Sequence, residues 1–285
     1  MIIFDFSQIA ISNYFKNSKL LSDDFDGTLF KHLILNSIRS YLVKYKKDYG
    51  NDVVIAVDAS NSWRKEYFPE YKAARKTKRE QDSVNWDWVF GVIGEMVSEL
   101  DSIFPYRVIK VERAEADDVI GVLTFNFASE TNPVMIISSD GDFKQLQMLP
   151  GVKQFAPAQN KEVIENFPEK FLQEKILRGD PKDGVPNFLS PDRVFVDGGR
   201  QKPIRKKEVE EWLSNSKDIF EDKLEEVKKY YERNLMMIDL SLIPNEISEK
   251  ILSEYYREHT GSKNAILSYF TRNRMKELSR CLDEF

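Results

Sequence analysis

Acidic residues in this sequence stand where short apolar segments end or where helices should begin. Asp5 follows the apolar segment IIF, Asp58 follows VVIAV, and Asp140 and Asp142 follow VMIISS. Short apolar segments separated by longer helical patterns are typical of buried parallel strands, whose carboxyl ends share one edge of a sheet. We therefore expect these carboxylates to converge. The full set of candidate acids is Asp5, Asp58, Glu115, Asp117, Asp118, Asp140, Asp142, Asp180 and Asp183.

A cluster of ionised carboxylates requires counter-charge, because like charges repel and an unpaired buried charge is costly. Divalent cations supply that charge, and all-oxygen ligands favour Mg²⁺ or Mn²⁺ over zinc. Two such ions held about 3.5–4 Å apart can hydrolyse a phosphodiester, one helping to generate hydroxide and the other stabilising the leaving oxygen. The acids together indicate a metal-dependent phosphoryl-transfer site. Taken singly, each acid could equally end a strand, form a turn or favour a helix N-terminus.

The segment AEADD has a spacing that suits metal ions. Glu115 and Asp118 stand three residues apart at a helix start and share one face, whereas Asp117 points differently and can reach a neighbouring ion. No other catalytic set competes with the acids. The sequence has no Walker A loop, no GxGxxG and no HExxH, and its two histidines, His32 and His259, form no convincing triad.

The composition suits a soluble globular enzyme of one large or two modest domains. The chain has 285 residues, of which 41% are hydrophobic and 31% charged. No apolar stretch approaches the ~20 residues that cross a bilayer, and the strand-like start MIIFDFS makes a signal peptide unexpected. The single cysteine, Cys281, excludes an internal disulfide and a cysteine metal cluster. We expect a reducing cytoplasm, that of the host cell if the gene belongs to a phage, and a monomer.

Positive charge is concentrated in two blocks, although the net charge is −5. Residues 63–80 hold seven Lys or Arg against three Glu, and residues 200–207 hold five and no acid. Local potential decides nucleic-acid binding, so both blocks are candidates, although either could be an ordinary solvated face. In the first block, cations could contact phosphates and aromatic rings could stack on bases, as in single-strand channels. The residues concerned are Arg64, Lys72 and Arg75, with Tyr67, Phe68 and Tyr71.

The elements that must position these residues alternate between strand and helix in the first part of the chain, a βαβ pattern. After about residue 165 the strand pattern ends: a helix starts at Pro168 and stops before Gly179, a basic loop covers about 184–207, and helices follow to 285. The predicted strands are 1–5, 53–58, 106–111, 134–140 and 152–157, and the predicted helices between them are 28–49, 84–104 and 114–128.

The motifs occur in an order that resembles a known family. They are Asp5, Asp58, WR at 63–64, YK at 71–72, AEADD at 114–118, SSDGDF at 138–143 and GDPKDGVPN at 179–187. This order resembles the flap endonuclease and 5′-exonuclease family, and within it the branch of ribonucleases H from T-even-type bacteriophages. The likeness runs over the whole chain, and SSDGDF together with EADD is specific.

The resemblance implies an α/β fold with a parallel-rich central sheet flanked by helices, a PIN-like 5′-nuclease core. Residues 1–167 would form the catalytic domain, with a helical arch at about 63–82. Residues 168–285 would form a helical DNA-binding region, whose segment 169–187 begins a helix–three-turn–helix motif that grips duplex DNA.

The resemblance also implies roles for single residues. Asp58, Glu115 and Asp117 would lie toward a first ion, and Asp140, Asp142 and Asp183 toward a second, with Asp117 near both. Asp5 completes the seven metal-site acids, and Asp118 and Asp180 are adjacent to them. Arg64 and Lys72 would engage the scissile phosphate, acting with Asp117 and Asp140 in catalysis. The cations of the second block, Arg200, Lys202, Arg205, Lys206 and Lys207, would bind nucleic acid with Arg64, Lys72 and Arg75.

The implied activity is Mg²⁺-dependent 5′→3′ exonuclease and flap endonuclease action with two ions, Mn²⁺ being able to substitute. Its substrates would be RNA–DNA and DNA duplexes with 5′ ends or flaps, so that RNA primers and adjoining DNA are removed during phage replication. A single-strand-binding protein is a possible replication partner. Two alternatives stay open, a smaller PIN-like ribonuclease acting on free RNA and a non-catalytic, structure-specific DNA-binding protein.

One departure from the family pattern affects a further ion. Many members follow the gripping motif with a glycine-rich GxG turn that binds a monovalent cation, whereas this chain has NFLSPDRVFVDGG. A K⁺ ion at 179–190 is therefore in doubt. The chain is expected to grip duplex with Arg193 and the basic residues that follow it.

Overall fold

The computed structural model describes residues 1–21, 26–214, 220 and 225–285, with the backbone alone at 76–78. Two parts of the predicted helical C-terminal region, residues 215–219 and 221–224, therefore lie outside the described residues. The side chains at 76–78 in the basic segment lie outside them as well. In the described ranges, every helix is too short or too polar to span a bilayer. The chain forms two compact units, one of residues 1–60, 85–164 and 245–285, the other of 61–84 and 165–244.

A six-stranded sheet organises the first unit. Its strands in chain order are β1 (Ile2–Asp5), β2 (Val53–Ala56), β3 (Arg107–Ile109), β4 (Val134–Ile137), β5 (Val152–Ala156) and β6 (Lys161–Val163). They lie in the order β3-β2-β1-β4-β5-β6, and every pairing is parallel except that of β5 with β6. The predicted parallel-rich α/β fold is thus confirmed. The antiparallel edge strand β6 was not predicted.

Helices flank the sheet in the first unit, and further helices occur in the second unit. In chain order they are α1 (Phe6–Asn17), α2 (Thr28–Tyr49), α3 (Trp63–Tyr67), α4 (Ala74–Glu80), α5 (Trp86–Ile103), α6 (Ala116–Phe127), α7 (Pro168–Arg178), α8 (Lys206–Ser214), α9 (Glu225–Ile238), α10 (Asn245–Tyr255), α11 (Lys263–Arg272) and α12 (Lys276–Ser279). In the first unit, α1, α2 and α5 pack on one another and α6 packs against α10. Both groups contact β1, which is fully buried, as expected for the centre of a parallel sheet.

The end of the chain packs with the sheet unit, which differs from the expected boundary at 167/168. Phe104 at the end of α5 contacts the rings of Tyr269, Phe270 and Phe285, and α10 contacts β3 and α6. The loss of strand pattern after residue 165 shows where the strands of the sheet end. Helices later in the chain nevertheless pack against the sheet unit. The basic segment 61–84 instead belongs to the second unit.

The second unit is built around a small apolar cluster. Leu177 of α7, Phe188, Val209 of α8 and Val227 of α9 are buried together. The turn after α7 needs its glycine: Gly179 has φ +71°, and a Cβ there would lie 2.4 Å from the carbonyl oxygens of Val185 and Pro186. As predicted, α7 starts at Pro168 and ends before this glycine.

Candidate metal centre

Three acids follow the three central strands of the sheet. Asp5 is the last residue of β1, Asp58 comes two residues after β2, and Asp140 comes three residues after β4. Strand β1 lies between β2 and β4, so the carboxyl ends of these strands are neighbours. From β1 the chain continues to β2 and β3 on one side of the sheet, and then crosses to β4 on the other side of β1. Such a switch point in a parallel sheet opens a crevice at the carboxyl edge.

The Asp5 carboxyl is the buried centre of this group. It is 7% exposed, its Oδ2 accepts a hydrogen bond from the Ser138 hydroxyl at 2.7 Å, and its Oδ1 accepts one from the Gln8 N–H at 3.3 Å. Burial, followed by the negative charges of Asp58 and Asp140, raises the pKa of Asp5 to about 7. The Asp5 carboxyl is thus near enough to Asp58 and Asp140 to feel their charges, and the predicted joint metal site of the acids stays a prediction.

The N-terminus of α6 is fixed to the same edge. Oδ1 of Asp58 accepts the Ala116 N–H at 3.0 Å, and Oδ2 of Asp118 accepts the Glu115 N–H at 2.8 Å. Glu115 is the N-cap residue, and Asp117 lies in the first helical turn. Positive potential at a helix N-terminus favours acids there. Asp118 is fully buried and has a capping function, so the structure gives it a structural task; its predicted contact with an ion stays a prediction.

Asp140 and Asp142 open a 3₁₀ helix, Gly141–Met148, directly after β4. Oδ1 of Asp140 accepts the Asp142 N–H at 3.0 Å, and the Asp140 N–H donates to the Ser138 hydroxyl at 3.1 Å. Nε2 of Gln154, on the neighbouring strand β5, donates to the carbonyl oxygens of Ser138 at 2.9 Å and Asp140 at 2.6 Å. These bonds fix the backbone that carries both acids.

Ser138 and Gln154 are therefore positioning residues that the sequence analysis missed. Ser138 is fully buried, and its hydroxyl donates to Asp5 while accepting from the backbone of Asp140. Gln154 is 1% exposed. A glutamine inside the apolar strand VKQFA was the available signal, because a buried polar side chain requires partners.

The donor set suits a hard divalent cation. Among the described residues, no group of three or more carboxylate, histidine or cysteine side chains is arranged to hold a metal ion. Mg²⁺ usually keeps several water ligands and takes only one or two carboxylates directly, so it does not need a closed cage of protein ligands. Asp5, Asp58 and Asp140 supply carboxylate oxygen atoms, and the charges of Asp58 and Asp140 raise the pKa of Asp5; a divalent cation fits both properties.

Two further predicted acids belong to the second unit, where they pair with cations. The Asp180 carboxylate lies 2.9 Å from Lys175 Nζ; burial would raise the pKa of Asp180, but Lys175 and nearby N–H groups outweigh it and lower that pKa. Asp183 pairs with Arg75, accepts from the Tyr71 hydroxyl at 3.2 Å, and lies 3.5 Å from Lys72 Nζ. Whether Asp183 also serves a metal ion stays a prediction.

The predicted arch is two short helices, α3 and α4, joined by a turn at 68–73. Phe68 and Tyr71 are 2% and 3% exposed, so the expectation that they stack on bases is wrong for this conformation, and of the three rings Tyr67 is the exposed one. Arg64 is also buried; its Nε donates to the Met237 carbonyl at 3.2 Å and its guanidinium covers the Trp63 ring. The Lys72 side chain is 12% exposed and that of Arg75 is 45% exposed.

The second basic block presents its cations to solvent. Lys206 and Lys207 are 83% and 86% exposed on α8, whose Val209 packs inward. Arg200, Lys202 and Arg205 are exposed as well. Their side chains can therefore contact phosphates without rearrangement of the core.

Known proteins match the whole chain. Residues 1–176 match the family model "5′-3′ exonuclease, N-terminal resolvase-like domain", and residues 167–285 match "T4 RNase H, C terminal". The ribonuclease H of Enterobacteria phage T4 is 32% identical over 99% of this chain and 95% of its own length.

Solved structures share the fold. The T5 D15 protein co-crystallised with metal ions has a TM-score of 0.66 at 17% identity, covering 89% of this chain and 97% of that one. A complex of the T5 D15 flap endonuclease with DNA and metal ions gives 0.64 at 18% identity, covering 90% and 99%. The sheet order, the acids at its edge and the full-length match agree: this chain belongs to the 5′-3′ exonuclease family, in the group whose C-terminal region is that of T4 RNase H.

Proposed function

We propose that this protein is a divalent-metal-dependent 5′→3′ exonuclease and flap endonuclease. It would hydrolyse RNA primers and the adjoining DNA on a duplex template during phage DNA replication. The observation that carries the proposal is the convergence of Asp5, Asp58 and Asp140 at the carboxyl edge of the three central strands. The T4 relative, named a ribonuclease H, supports the substrate class.

The acids would hold two Mg²⁺ ions. Asp58, Glu115 and Asp117 would serve one, and Asp140 and Asp142 the other. Bound ions would activate water and stabilise the oxygen that leaves phosphorus. The chain's own residues keep the acids in place: Ser138 and Gln154 hold Asp5 and the backbone around Asp140, and the first turn of α6 holds Asp58.

The second unit would bind the nucleic acid. Lys72 and Arg75 would approach the scissile phosphate, while the exposed cations of 200–207 would contact the duplex backbone. Phosphate contacts of this kind position a duplex without reading its sequence. The T5 flap endonuclease that shares this fold was solved with DNA, which supports this assignment. A single-strand-binding protein remains a candidate partner.

Two alternatives make different demands on the substrate. A PIN-like ribonuclease would cut free RNA without a duplex, and a non-catalytic DNA-binding protein would cut nothing. The helical second unit with its exposed basic block argues against the first. The complete set of acids, whose repulsion at Asp5 would serve no purpose in a purely structural role, argues against the second.

The deciding experiment uses a 5′-labelled RNA–DNA primer annealed to a DNA template, with free RNA of the same sequence beside it. We expect Mg²⁺-dependent release of short 5′ products from the annealed primer and little cleavage of free RNA. Asp117→Asn and Asp142→Asn should each reduce the single-turnover rate by ~100-fold or more, since such electrostatic groups are worth a few kcal/mol. Asp283→Asn, an exposed acid paired with Lys263, is the control. Near-normal cleavage by both site variants would overturn the proposal.

A further inference from the structure

One buried guanidinium group in the second unit donates hydrogen bonds to several backbone carbonyl oxygens of a single turn. Arg233 of α9 is 5% exposed. Its Nη2 donates to the carbonyl oxygens of Pro186 at 2.8 Å and Asn187 at 3.3 Å. Its Nη1 donates to the carbonyl oxygen of Ser190 at 3.3 Å and to the Asp192 carboxylate at 2.6 Å. We name residues 186–192 the carbonyl turn, because three of its carbonyl oxygens point toward one cation.

The remaining surroundings of Arg233 also fit a permanent cation. Its Nε donates to Oδ1 of Asn234 at 3.0 Å, and its guanidinium carbon lies 5.5 Å from the Phe68 ring and 5.2 Å from the Tyr230 ring. Aromatic faces at such distances attract a cation. Burial lowers the pKa of Arg233, but the bond with Asp192 opposes this, and arginine stays protonated in proteins. The charge is therefore fixed and internally compensated.

The carbonyl turn connects the parts of the unit proposed to grip DNA. The Phe188 N–H donates to the Leu177 carbonyl of α7 at 3.1 Å. Nδ2 of Asn187 donates to the Lys202 carbonyl at 2.7 Å, and the Lys202 N–H donates to the Ser190 hydroxyl at 2.8 Å. The position of the basic block thus depends on the shape of this turn. That shape depends on a positive charge among inward-facing carbonyl dipoles, which would otherwise be costly to bury.

We propose that the guanidinium group of Arg233 is the resident cation of the carbonyl turn, so that this protein needs no bound monovalent ion to form its duplex-gripping surface. The family pattern implies K⁺ held by a GxG turn at this place. This chain has NFLSPDR there, and the carbonyl oxygens of Pro186, Asn187 and Ser190 are engaged by one side chain. The residues present do not fit a monovalent ion, because the arginine already occupies the position its charge would take.

The first test uses the wild-type protein in K⁺, Na⁺ and choline chloride at equal ionic strength. The melting temperature is measured without DNA, and the duplex dissociation constant is measured with Ca²⁺ replacing Mg²⁺ to prevent cleavage. We expect equal melting temperatures, and dissociation constants within about twofold, since phosphate binding depends on total salt. A K⁺-specific rise in melting temperature, or binding that is fivefold or more tighter in K⁺ than in choline, would overturn the proposal.

The second test removes the guanidinium. Arg233→Ala leaves three buried carbonyls without that donor, and duplex affinity should fall about tenfold or more. Addition of guanidinium chloride at millimolar concentration should restore part of the affinity, whereas choline should not. Arg257→Ala removes an arginine that pairs with Asp101 in the other unit and should change the affinity less than about twofold. If Arg233→Ala does not fold, Arg233→Met is measured instead; it keeps the aliphatic stem but lacks the charge and the donors, and affinity equal to wild type in every salt would contradict the assignment.

The measurement of duplex affinity rests on the proposed function, whereas the measurement of melting temperature does not. A protein that binds no duplex in any salt, yet melts equally in K⁺ and choline, would reject the proposed function and leave Arg233 as the resident cation. A protein that binds duplex only in K⁺ would support the proposed function and reject the role of Arg233. The two failures are therefore separable.

Discussion

At the scale of single residues, one hydroxyl joins two of the acids. Ser138 donates to Asp5 and accepts from the backbone of Asp140, whereas the adjacent Ser139 accepts the Ala158 N–H away from the acids. Catalytic groups must be held within fractions of an ångström by their supporting hydrogen bonds. The two serines therefore form a natural matched pair, one supporting the site and one outside it.

We predict that Ser138→Ala lowers the single-turnover cleavage rate by about tenfold to 100-fold, because supporting bonds of metal ligands typically carry effects of this size. Ser139→Ala should stay within about twofold of wild type on the same grounds. The duplex dissociation constant should be unchanged in both variants, and Ser138→Ala should need more Mg²⁺ for half-maximal rate. Loss of duplex affinity together with rate, at an unchanged Mg²⁺ midpoint, would show general misfolding and contradict a positioning role.

The raised pKa of Asp5 makes a prediction about the metal-free protein. The folded state holds a proton on Asp5 up to about pH 7, whereas an ordinary aspartate loses it near pH 4. Between these values the folded state binds more protons than the unfolded state, so the free energy of unfolding decreases as pH rises from about 4 to 7. The slope from this group is at most ~1.4 kcal/mol per pH unit.

Urea unfolding in EDTA at several pH values measures this slope. Asp5→Asn should flatten it across the same window and raise the stability above pH 7, because an amide at this position does not ionise. An unchanged slope in Asp5→Asn would mean that other groups dominate and that the Asp5 carboxyl is solvated. Mg²⁺ added above pH 7 should stabilise the wild type more than this variant, since bound ligand stabilises the folded state.

The acids at the sheet edge could be predicted, because each one directly follows an apolar segment and parallel strands share a carboxyl edge. Their supporting groups could not be predicted in the same way. Gln154 reaches the Asp140 backbone from another strand, and no local pattern marks that pairing. Phe68 and Tyr71 look like accessible rings in a charged segment, but tertiary packing buries them. Local composition reports charge well and burial poorly.

At the scale of elements, the turn between α3 and α4 is fixed to the loop after α7. The Lys72 N–H donates to the Asp183 carbonyl at 2.7 Å, and Lys72 has φ +57°, which a non-glycine residue adopts only when its surroundings enforce it. The side chains of Arg75 and Tyr71 hold the Asp183 carboxylate. The loop after α7 thus orients Lys72 and Arg75, the cations proposed to contact the scissile phosphate.

We predict that Lys72→Ala lowers the single-turnover rate by tenfold or more while changing duplex affinity by less than about threefold, because its task is to place one phosphate whereas affinity is spread over many cations. Lys65, an exposed lysine of α3, provides the control variant Lys65→Ala, with little effect expected on either quantity. Weaker binding with an unchanged rate at saturating protein would instead make Lys72 an electrostatic anchor.

The exposed block before and on α8 should set affinity rather than rate. Changing Arg205, Lys206 and Lys207 to Glu should weaken duplex binding equally for all sequences, since phosphate contacts carry no base information. Changing them to Gln should reduce the slope of log affinity against log salt by roughly one unit per real contact. Lys228→Gln, on α9, is the control for a lysine outside the block. An unchanged slope of log affinity against log salt would indicate that the block makes no phosphate contacts and is an ordinary solvated face.

The strongly periodic elements were predictable, and the short ones were not. The helix expected at 28–49 is α2, and the one expected at 84–104 is α5 within two residues at either end. Helix α1 follows β1 without any turn signal, because the Asp5 side chain serves as its N-cap. Strand β6 has only three residues, and its existence depends on pairing with β5, which no local period reveals.

At the scale of the whole molecule, the chain divides its proposed tasks between two units. The first contains the sheet and the acids at its edge; the second contains the segment 61–84, the carbonyl turn and the basic block. A sequence boundary at 167/168 misses this arrangement, because contacts between distant segments decide it. The chain leaves the sheet unit just after Asp58 and re-enters it at residue 85, so the basic segment is an insertion between two strands.

The direction of degradation is the last prediction, since a two-metal site by itself cuts any phosphodiester presented to it. Polarity must come from the residues that receive the strand. The basic segment that follows Asp58 along the chain would admit a frayed 5′ end or flap, while the unit that contains α7 and α8 would hold the duplex behind it. Recessed 5′ ends and 5′ flaps should be degraded, whereas long single strands, which offer no duplex to hold, should be cut poorly.

Paired substrates labelled at either end, with Mg²⁺ and moderate salt, test this polarity. Short products should come first from the 5′ label, and a blunt 3′ end should stay intact. The triple Gln variant of residues 205–207 should lose this preference for duplex over single strands while Lys65→Ala keeps it, because the block is proposed to bind the duplex. Early release of short products from the 3′ label would contradict the polarity, since an entry segment for 5′ ends and a duplex-holding unit cannot produce it.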